Sequence, residues 1–360
     1  MIQHFIISPF SYRRPGFNKN KWPDPLNVHI LEHRLKLFEI VTLASLKAQI
    51  RKDFSWVIIV DPKLPDKFRN RMHNLIKEIR NTRLHDYSPE IDENNLNWLK
   101  TYISPQTNYI TTTILGCDDG LFRGFTKYIH ENINALHKKN ENFPMMVFAC
   151  KNVVQWDFFY TENAPLGYQK PWTRKKTLTV GTGLTLCCKY PELDYSINGF
   201  GHHLIDYLFM DDSSLRKLDA EIYDDVKTKQ EEVRKRVQQS SLNWDGVLNF
   251  DDSFHVISTN YPQALVLNHF GNVRYKRLFE APDLRIAVNA KNSFPEIAID
   301  FALATKYIQS FQRTIPLFLR FLKNSFKYNP ASKPGMCFKE RFNNKMKRLR
   351  SFTKGFRNLK

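Results

Sequence analysis

The stretch "TTTILGCDDGLFRGF" (Thr111–Phe125) sets a β-branched run directly against two adjacent acids. Thr and Ile suit a pleated, half-buried surface, so Thr107–Leu115 reads as a strand. It stops at Gly116, and Asp118 and Asp119 follow. Beyond Gly120, Phe122, Phe125, Ile129, Ile133 and Leu136 recur at helical spacing. Two carboxylates are expensive inside an apolar core unless they are paired. Their place at the end of a strand therefore points to the mouth of a ligand crevice.

The same alternation runs upstream. Residues 2–8, "IQHFIIS", read as a strand that meets a turn at Pro9, and a Pro-, Asn- and Lys-rich loop follows to about Asn27. "LEHRLKLFEIVTLASLKAQI" reads as a helix. "FSWVIIVDP" (Phe54–Pro62) reads as a buried strand closing on Asp61. In "DKFRNRMHNLIKEIR", Phe68, Met72, Leu75, Ile76 and Ile79 share one helical face. Strand, helix, strand, helix, strand, helix predicts an α/β fold with a mostly parallel sheet flanked by helices. Ligands of such sheets bind beyond the carboxyl ends of the strands. Those ends carry Ser11 and Arg13, then Asp61, then Asp118 and Asp119. Arg13 and Arg14 of "YRR" suit bidentate contacts to phosphate.

Downstream, "PMMVFAC", "TLTVGTGLTLCCKY", "FHVIS" and "ALVLNHF" read as strands, and "GHHLIDYLFM" opens a helix. Residues 219–240 are highly charged and read as an exposed helix. "EIAIDFALATKYIQSF" and "PLFLRFLKNSF" read as two helices divided at Pro316. The expected division is a domain over 1–275, a helical extension over 276–325 and a basic, weakly ordered tail over 326–360.

Composition narrows the class. A hydrophobic content of 42%, with 14% aromatic residues, excludes a disordered chain. The net charge of +18 calls for polyanionic partners. Most of it lies at one end: Arg320–Lys360 holds 13 Lys or Arg against the single acid Glu340. The five cysteines (Cys117, Cys150, Cys187, Cys188, Cys337) form no paired spacing and read as reduced thiols in a cytoplasmic protein. "MIQHFIISPF" lacks a basic leader, and no run of 18 apolar residues marks a membrane span.

Carboxylates at a strand end suit Mg²⁺ or Mn²⁺, which take oxygen ligands and neutralise a departing diphosphate. "DDG" is equally a turn and helix-cap sequence. Both readings stand on these residues alone.

"HFIISPFSYR", then "RLKLFEIVTLASLKAQIRKDFSWVIIVDP", then "ILGCDDGL" together resemble a family of rhamnosyltransferases, which are similar to nucleotide-sugar glycosyltransferases of the A-type, Rossmann-like fold. "PQALVLNHFGNVRYKR" resembles a late segment of that family, so the resemblance covers roughly residues 1–280. It implies a nucleotide-sugar donor and places Asp61 near the base or ribose. It makes Asp118 the last acid of an Asp-x-Asp motif touching metal and diphosphate, with Asp119 beside it, and His269 the late histidine that approaches from the opposite wall. The implied metal set is therefore Asp118, Asp119 and His269, with Mn²⁺ or Mg²⁺ as cofactor. The chain departs from the family's Arg-Leu-Asp-x-Asp-Asp text: Gly116 stands for the first Asp and Ile114 for the Arg.

Transfer with inversion also needs a base for the acceptor hydroxyl. The resemblance places it at the start of the helix in "NGFGHHLIDYLF", where His202 and His203 stand, with Asp206 a turn later. Asp251 and Asp252 form another acidic pair that reads as readily as a turn. Trp156, Trp172 and Trp244 are sugar-stacking candidates against a default of packing.

The tail mixes Phe, Met and Leu with cations. Each Lys or Arg near an anionic leaflet contributes on the order of 1 kcal/mol, which suits peripheral attachment at the inner membrane face beside a lipid-linked acceptor. The expectation is a cytoplasmic glycosyltransferase moving a hexose, with rhamnose one candidate, to a glycan or lipid-linked acceptor. The rival readings are a non-catalytic protein binding polyanions through the tail, with nucleic acid the less favoured of these, and a degenerate transferase that binds without turnover.

Overall fold

A computed structural model describes residues 1–13, 24–92, 95–139, 145–158, 164–173, 181–198, 254–257, 259–269, 286–290, 293–294 and 296–310, with short pieces between 223 and 235. Residues 1–17 and 24–314 belong to one compact unit; the second unit, 18–23 and 315–360, lies outside the described residues. His202, His203, Asp206, Arg14, Asp251, Asp252, Trp244, Cys337 and the basic tail also lie outside them.

The chain opens with β1 (Ile2–Ser11), longer than the turn expected at Pro9. Helix α1 (Val28–Leu37) follows, capped by Asn27, whose side chain accepts the His29 N–H. It runs through a π-helical segment (Phe38–Leu43) into α2 (Ala44–Lys47). Then come β2 (Ser55–Val60), α3 (Asp66–Ile76), β3 (Thr82–Asp86) and β4 (Tyr109–Ile114). After β4 the chain forms β5 (Gly120–Leu121) and α4 (Phe125–Lys139). The later strands are β6 (Met145–Cys150), β7 (Asn152–Asp157), β8 (Tyr168–Thr173), β9 (Thr185–Lys189), β10 (Phe254–Ile257), β11 (Ala264–Asn268) and β12 (Ile286–Ala287). Residues 301–310 are helical.

Seven strands form one mixed sheet in the order β10-β6-β9-β4-β1-β2-β3. All neighbours are parallel except β9, which runs antiparallel to β4 and β6. This is the predicted mostly parallel α/β sheet. Strand β3, "TRLHD", escapes a hydrophobicity reading because it is a polar edge strand. A second sheet, β12-β8-β7-β11-β5, begins immediately after the two acids. The sequence segment carrying them is thus the passage from one sheet to the other.

Burial explains the motifs. Trp56 of "FSWVIIVDP" is fully buried, stacks on Phe38 with ring centroids 5.3 Å apart, and donates its indole N–H to Ser8 Oγ at 2.9 Å. The three threonines of β4 are buried too, and two find partners there: Thr113 Oγ1 meets His4 Nε2 at 2.8 Å and Thr185 Oγ1 at 2.6 Å, and Thr112 Oγ1 accepts the Ile197 N–H at 2.9 Å. Gln49, at the end of "TLASLKAQ", is 1% exposed. Its amide donates to Phe122 O at 2.9 Å and to Ser45 O at 3.2 Å, and its carbonyl accepts from Thr126 N and Oγ1, both at 3.2 Å. That one side chain ties α2 to the start of α4.

The helix over 301–310 starts five residues later than Glu296, where the apolar pattern begins, and Ala304 and Ile308 are buried in the same core as the first three strands. The four described cysteines are buried and free. No helix among the described residues is long and apolar enough to cross a membrane.

Candidate active site

The carboxyl ends of β1, β2 and β4 hold the expected polar residues. Asp61, 5% exposed, accepts the Arg13 N–H at 3.1 Å on one oxygen and the Lys63 N–H at 2.9 Å on the other. Its own N–H bonds to Ser11 O at 3.0 Å, so the exits of β1 and β2 are locked together. The Arg13 guanidinium turns to Asp24, with bonds of 3.1 and 2.8 Å. Arg34 of α1, which the sequence reading did not single out, fills the gap: its Nη1 donates to Phe10 O at 2.9 Å and to Ser11 Oγ at 3.2 Å. Its charge also acts on Asp118. The Tyr12 and Tyr87 rings stack beside the Asp61 corner, with centroids 4.4 Å apart.

At the exit of β4 the two acids part company. Asp118 Oδ2 lies 2.7 Å from His269 Nε2, and the Asp118 side chain is 18% exposed. His269 stands just past β11 in the second sheet. Acid and histidine therefore meet across the two sheets, 151 residues apart in the chain. Asp119 turns the other way. Its Oδ1 accepts the Leu267 N–H at 3.1 Å, and its Oδ2 takes the Thr182 hydroxyl in a very short bond. Thr182 is aimed by the tight turn before β9, where Gly183 adopts φ +77° and a Cβ would lie 2.9 Å from Cys150 Sγ.

The electrostatics follow from this split. Burial works to raise the Asp118 pKa, but the His269 hydrogen bond and the nearby Arg34 charge work against it and hold it below its ordinary value. Asp119 is pushed up to about 8, first by burial and then by the charge of Asp118. Adjacent carboxylates in one low-dielectric corner cannot both ionise cheaply, and Asp119 is the one that keeps its proton near neutrality.

The π-helical segment shapes the same corner. Thr42 Oγ1 donates to Asp119 O at 2.9 Å and reaches Gly116 O at 3.3 Å. The Ile40 carbonyl is taken from outside the helix by the Asp300 N–H at 2.9 Å. Such irregular turns recur at functional sites because they free backbone and side-chain groups from the helical ladder.

Gly116 explains the missing first acid. A Cβ there would lie 2.5 Å from Asp119 Oδ2, 3.0 Å from Asp119 Cγ and 3.2 Å from Asp118 Oδ1. The Asp119 carboxylate occupies the space that a side chain at 116 would need.

The expected metal set of Asp118, Asp119 and His269 is not arranged as a metal centre. Among the described residues, no group of three or more His, Cys, Asp or Glu side chains is placed to hold an ion. The physical reason is the partners just described: His269 and the Asp118 oxygen satisfy each other, and both Asp119 oxygens are engaged by Thr182 and Leu267. Trp156 is a core residue, buried, with its N–H donated to Leu166 O at 2.7 Å and its ring against Phe158.

No curated protein matches the chain. A crystal structure of S. aureus TarS is 14% identical with a TM-score of 0.33, the match covering 74% of this chain and 36% of that one, so the chain spans about a third of that protein's length. The S. aureus TarS 1-349 complex with UDP-GlcNAc is 11% identical with a TM-score of 0.30, covering 74% of this chain and 58% of that chain. Mouse xyloside xylosyltransferase 1 in its apo form is 8% identical with a TM-score of 0.29, covering 72% and 87%. Likenesses this distant carry no weight for chemistry. The family described as "Putative rhamnosyl transferase" matches residues 27–205, a span that takes in α1, Gln49, the Trp56 strand and both acids. Over that span, just under half of its length, the chain is similar to this family.

Proposed function

We propose that the chain transfers a hexose from a nucleotide-diphosphate donor to a glycan or lipid-linked acceptor, with rhamnose the first sugar to test because of the family's description. The observation that carries this reading is the meeting of Asp118 and His269 at the strand ends where Asp61 and Arg34 also stand. A donor laid across these ends would set its nucleoside toward Asp61 and its diphosphate toward Arg34. Arg34 is suited to phosphate oxygens by its planar fork of donors. Asp118, ionised, would orient the sugar by accepting hydrogen bonds from its hydroxyls. Because the residues as placed do not form a metal centre, no step of the transfer is routed through an ion. His202, His203 and Asp206 remain the proposed base for the acceptor hydroxyl. The basic stretch 326–360 remains the proposed peripheral attachment to an anionic membrane face, testable by sedimentation with anionic vesicles of the full chain and of a chain ending at 325.

A thermal-shift panel of nucleotides and nucleotide sugars, with and without Mn²⁺, tests the reading on wild type and on Asp118→Ala. A donor at about 100 times its dissociation constant stabilises by about 2–3 kcal/mol. A shift confined to one nucleotide class and lost in Asp118→Ala supports it. No shift with any compound refutes it. A second reading, a relative that binds donor without turnover, is favoured by Gly116 in place of the first acid. Retained binding with no donor hydrolysis would establish that instead.

A further inference from the structure

Behind Asp118 runs a string of buried side chains that the proposed transfer does not use. His269 Nε2 meets Asp118 Oδ2 at 2.7 Å, His269 Nδ1 meets His33 Nε2 at 2.8 Å, and His33 Nδ1 meets Tyr307 Oη at 2.6 Å. His33 is 4% exposed and His269 1%. The four residues come from β4's exit, β11's exit, α1 and the helix over 301–310. The His33 ring also lies edge-on to His269, with centroids 4.7 Å apart.

The chemistry of the four groups orders the protons. An ionised Asp118 only accepts, so His269 Nε2 carries a hydrogen. A neutral His269 then offers Nδ1 as an acceptor, which His33 must fill with its Nε2–H. That leaves His33 Nδ1 as an acceptor for the phenol of Tyr307. Burial, the first cause in each case, lowers the His33 pKa strongly and raises that of Tyr307, so both groups are held neutral. Every hydrogen in the string therefore points toward Asp118.

We propose that His33 and Tyr307 are positioning residues for the transfer site: from 274 residues apart in sequence they fix the tautomer and ring plane of His269, and through it the orientation of the Asp118 carboxylate. This rests on the reading of Asp118 as a donor-site acid, but the string itself does not depend on it. Shells of this kind act by locking the rotamer and tautomer of the group that touches the ligand. The arrangement also makes the helix over 301–310 part of the site's support.

Ring ¹⁵N NMR of the histidines in the full chain, without ligand, tests the string. In wild type, His33 and His269 are expected as Nε2–H tautomers. Tyr307→Phe removes one oxygen and leaves the ring. It should release His33 to mix tautomers and move the His269 signals as well. His33→Leu should release His269, whereas His33→Gln, whose amide keeps an N–H near the Nε2 position, should restore the wild-type His269 signature. Unchanged His269 signals in both Tyr307→Phe and His33→Leu, or a wild-type His33 in the Nδ1–H form, would overturn the proposal. For the effect on the site, the affinity of UDP is measured as a probe, where wild type binds it. His33→Leu and Tyr307→Phe should weaken it about tenfold, with His33→Gln within twofold of wild type. Equal affinity in all four proteins overturns the link to the site. Absence of UDP binding by wild type counts against the donor reading and leaves the tautomer result to decide the string.

Discussion

Gly116 and Asp119 compete for one volume: a Cβ on Gly116 would stand 2.5 Å from Asp119 Oδ2. An acid introduced at 116 must push the Asp119 carboxylate off Thr182 and the Leu267 N–H. Gly116→Asp is therefore expected to destabilise the chain by about 1–3 kcal/mol, the range for overpacking a filled site. In Gly116→Asp with Asp119→Gly the cost should largely vanish, because the new acid inherits the vacated space. Urea unfolding of the two single variants and the double variant checks this. Additive losses would show that the two positions do not share space.

Asp119 sets one pH dependence. Its pKa in the folded chain is about 8, against an ordinary 3.8. The folded state holds a proton that the unfolded chain has released, so its contribution is fully present below about pH 4 and is lost as pH rises through 8. Asp119→Asn removes the titration. Its Tm should fall less steeply than wild type between pH 5 and 8, by a few degrees over that range. Parallel curves for the two proteins would exclude the assignment.

An opposite slope comes from the other end of β1. His4 and His130 lie with ring centroids 5.4 Å apart, and burial is the first cause of both lowered pKa values, that of His130 to about 4. The unfolded chain takes up protons near pH 6.5 that the folded chain refuses, so stability is lost as pH falls from about 6.5 toward 4. His130→Leu should flatten that acid limb. Among the described residues the ring nitrogens of His130 have no hydrogen-bond partner, Nδ1 standing 4.0 Å from Asp53 Oδ2, and His130 lines a cavity of about 280 Å³ with Arg51, Asp53 and His137. The substitution therefore strands no bonded group.

Gln49 is expected to matter more for stability than any charged pair on the surface. Gln49→Ala strips partners from the buried Phe122 carbonyl and from Thr126, a cost of about 2–3 kcal/mol by the usual penalty for unpaired buried groups. Lys67→Ala, which removes an exposed pair with Glu32, should change stability by less than about 1 kcal/mol. Equal midpoints in urea for the two variants would contradict this ranking.

The layered α/β fold and the row of polar strand ends were legible in the chain because both are local. Apolar periodicity reports which face of a helix or strand is buried within a few residues, and "FSWVIIVDP" and the helix after Gly120 show it strongly. Strand β3 and the second sheet carried no such signal, being polar, very short or partnered at an edge. The placement of Asp118, Asp119 and His269 near one corner followed from family likeness, but not the way the two acids divide, one toward His269 and one toward Thr182. Nor could sequence spacing show that Asp119 fills the room left by Gly116, or that His33 and Tyr307 stand behind His269. Apart from Gly116 and Asp119, which are only three positions apart, those relations join residues 63 to 274 positions apart, and no repeat along the chain encodes them. They arise when two sheets and two helices close on one another, so that burial, not pattern, decides which polar groups must pair.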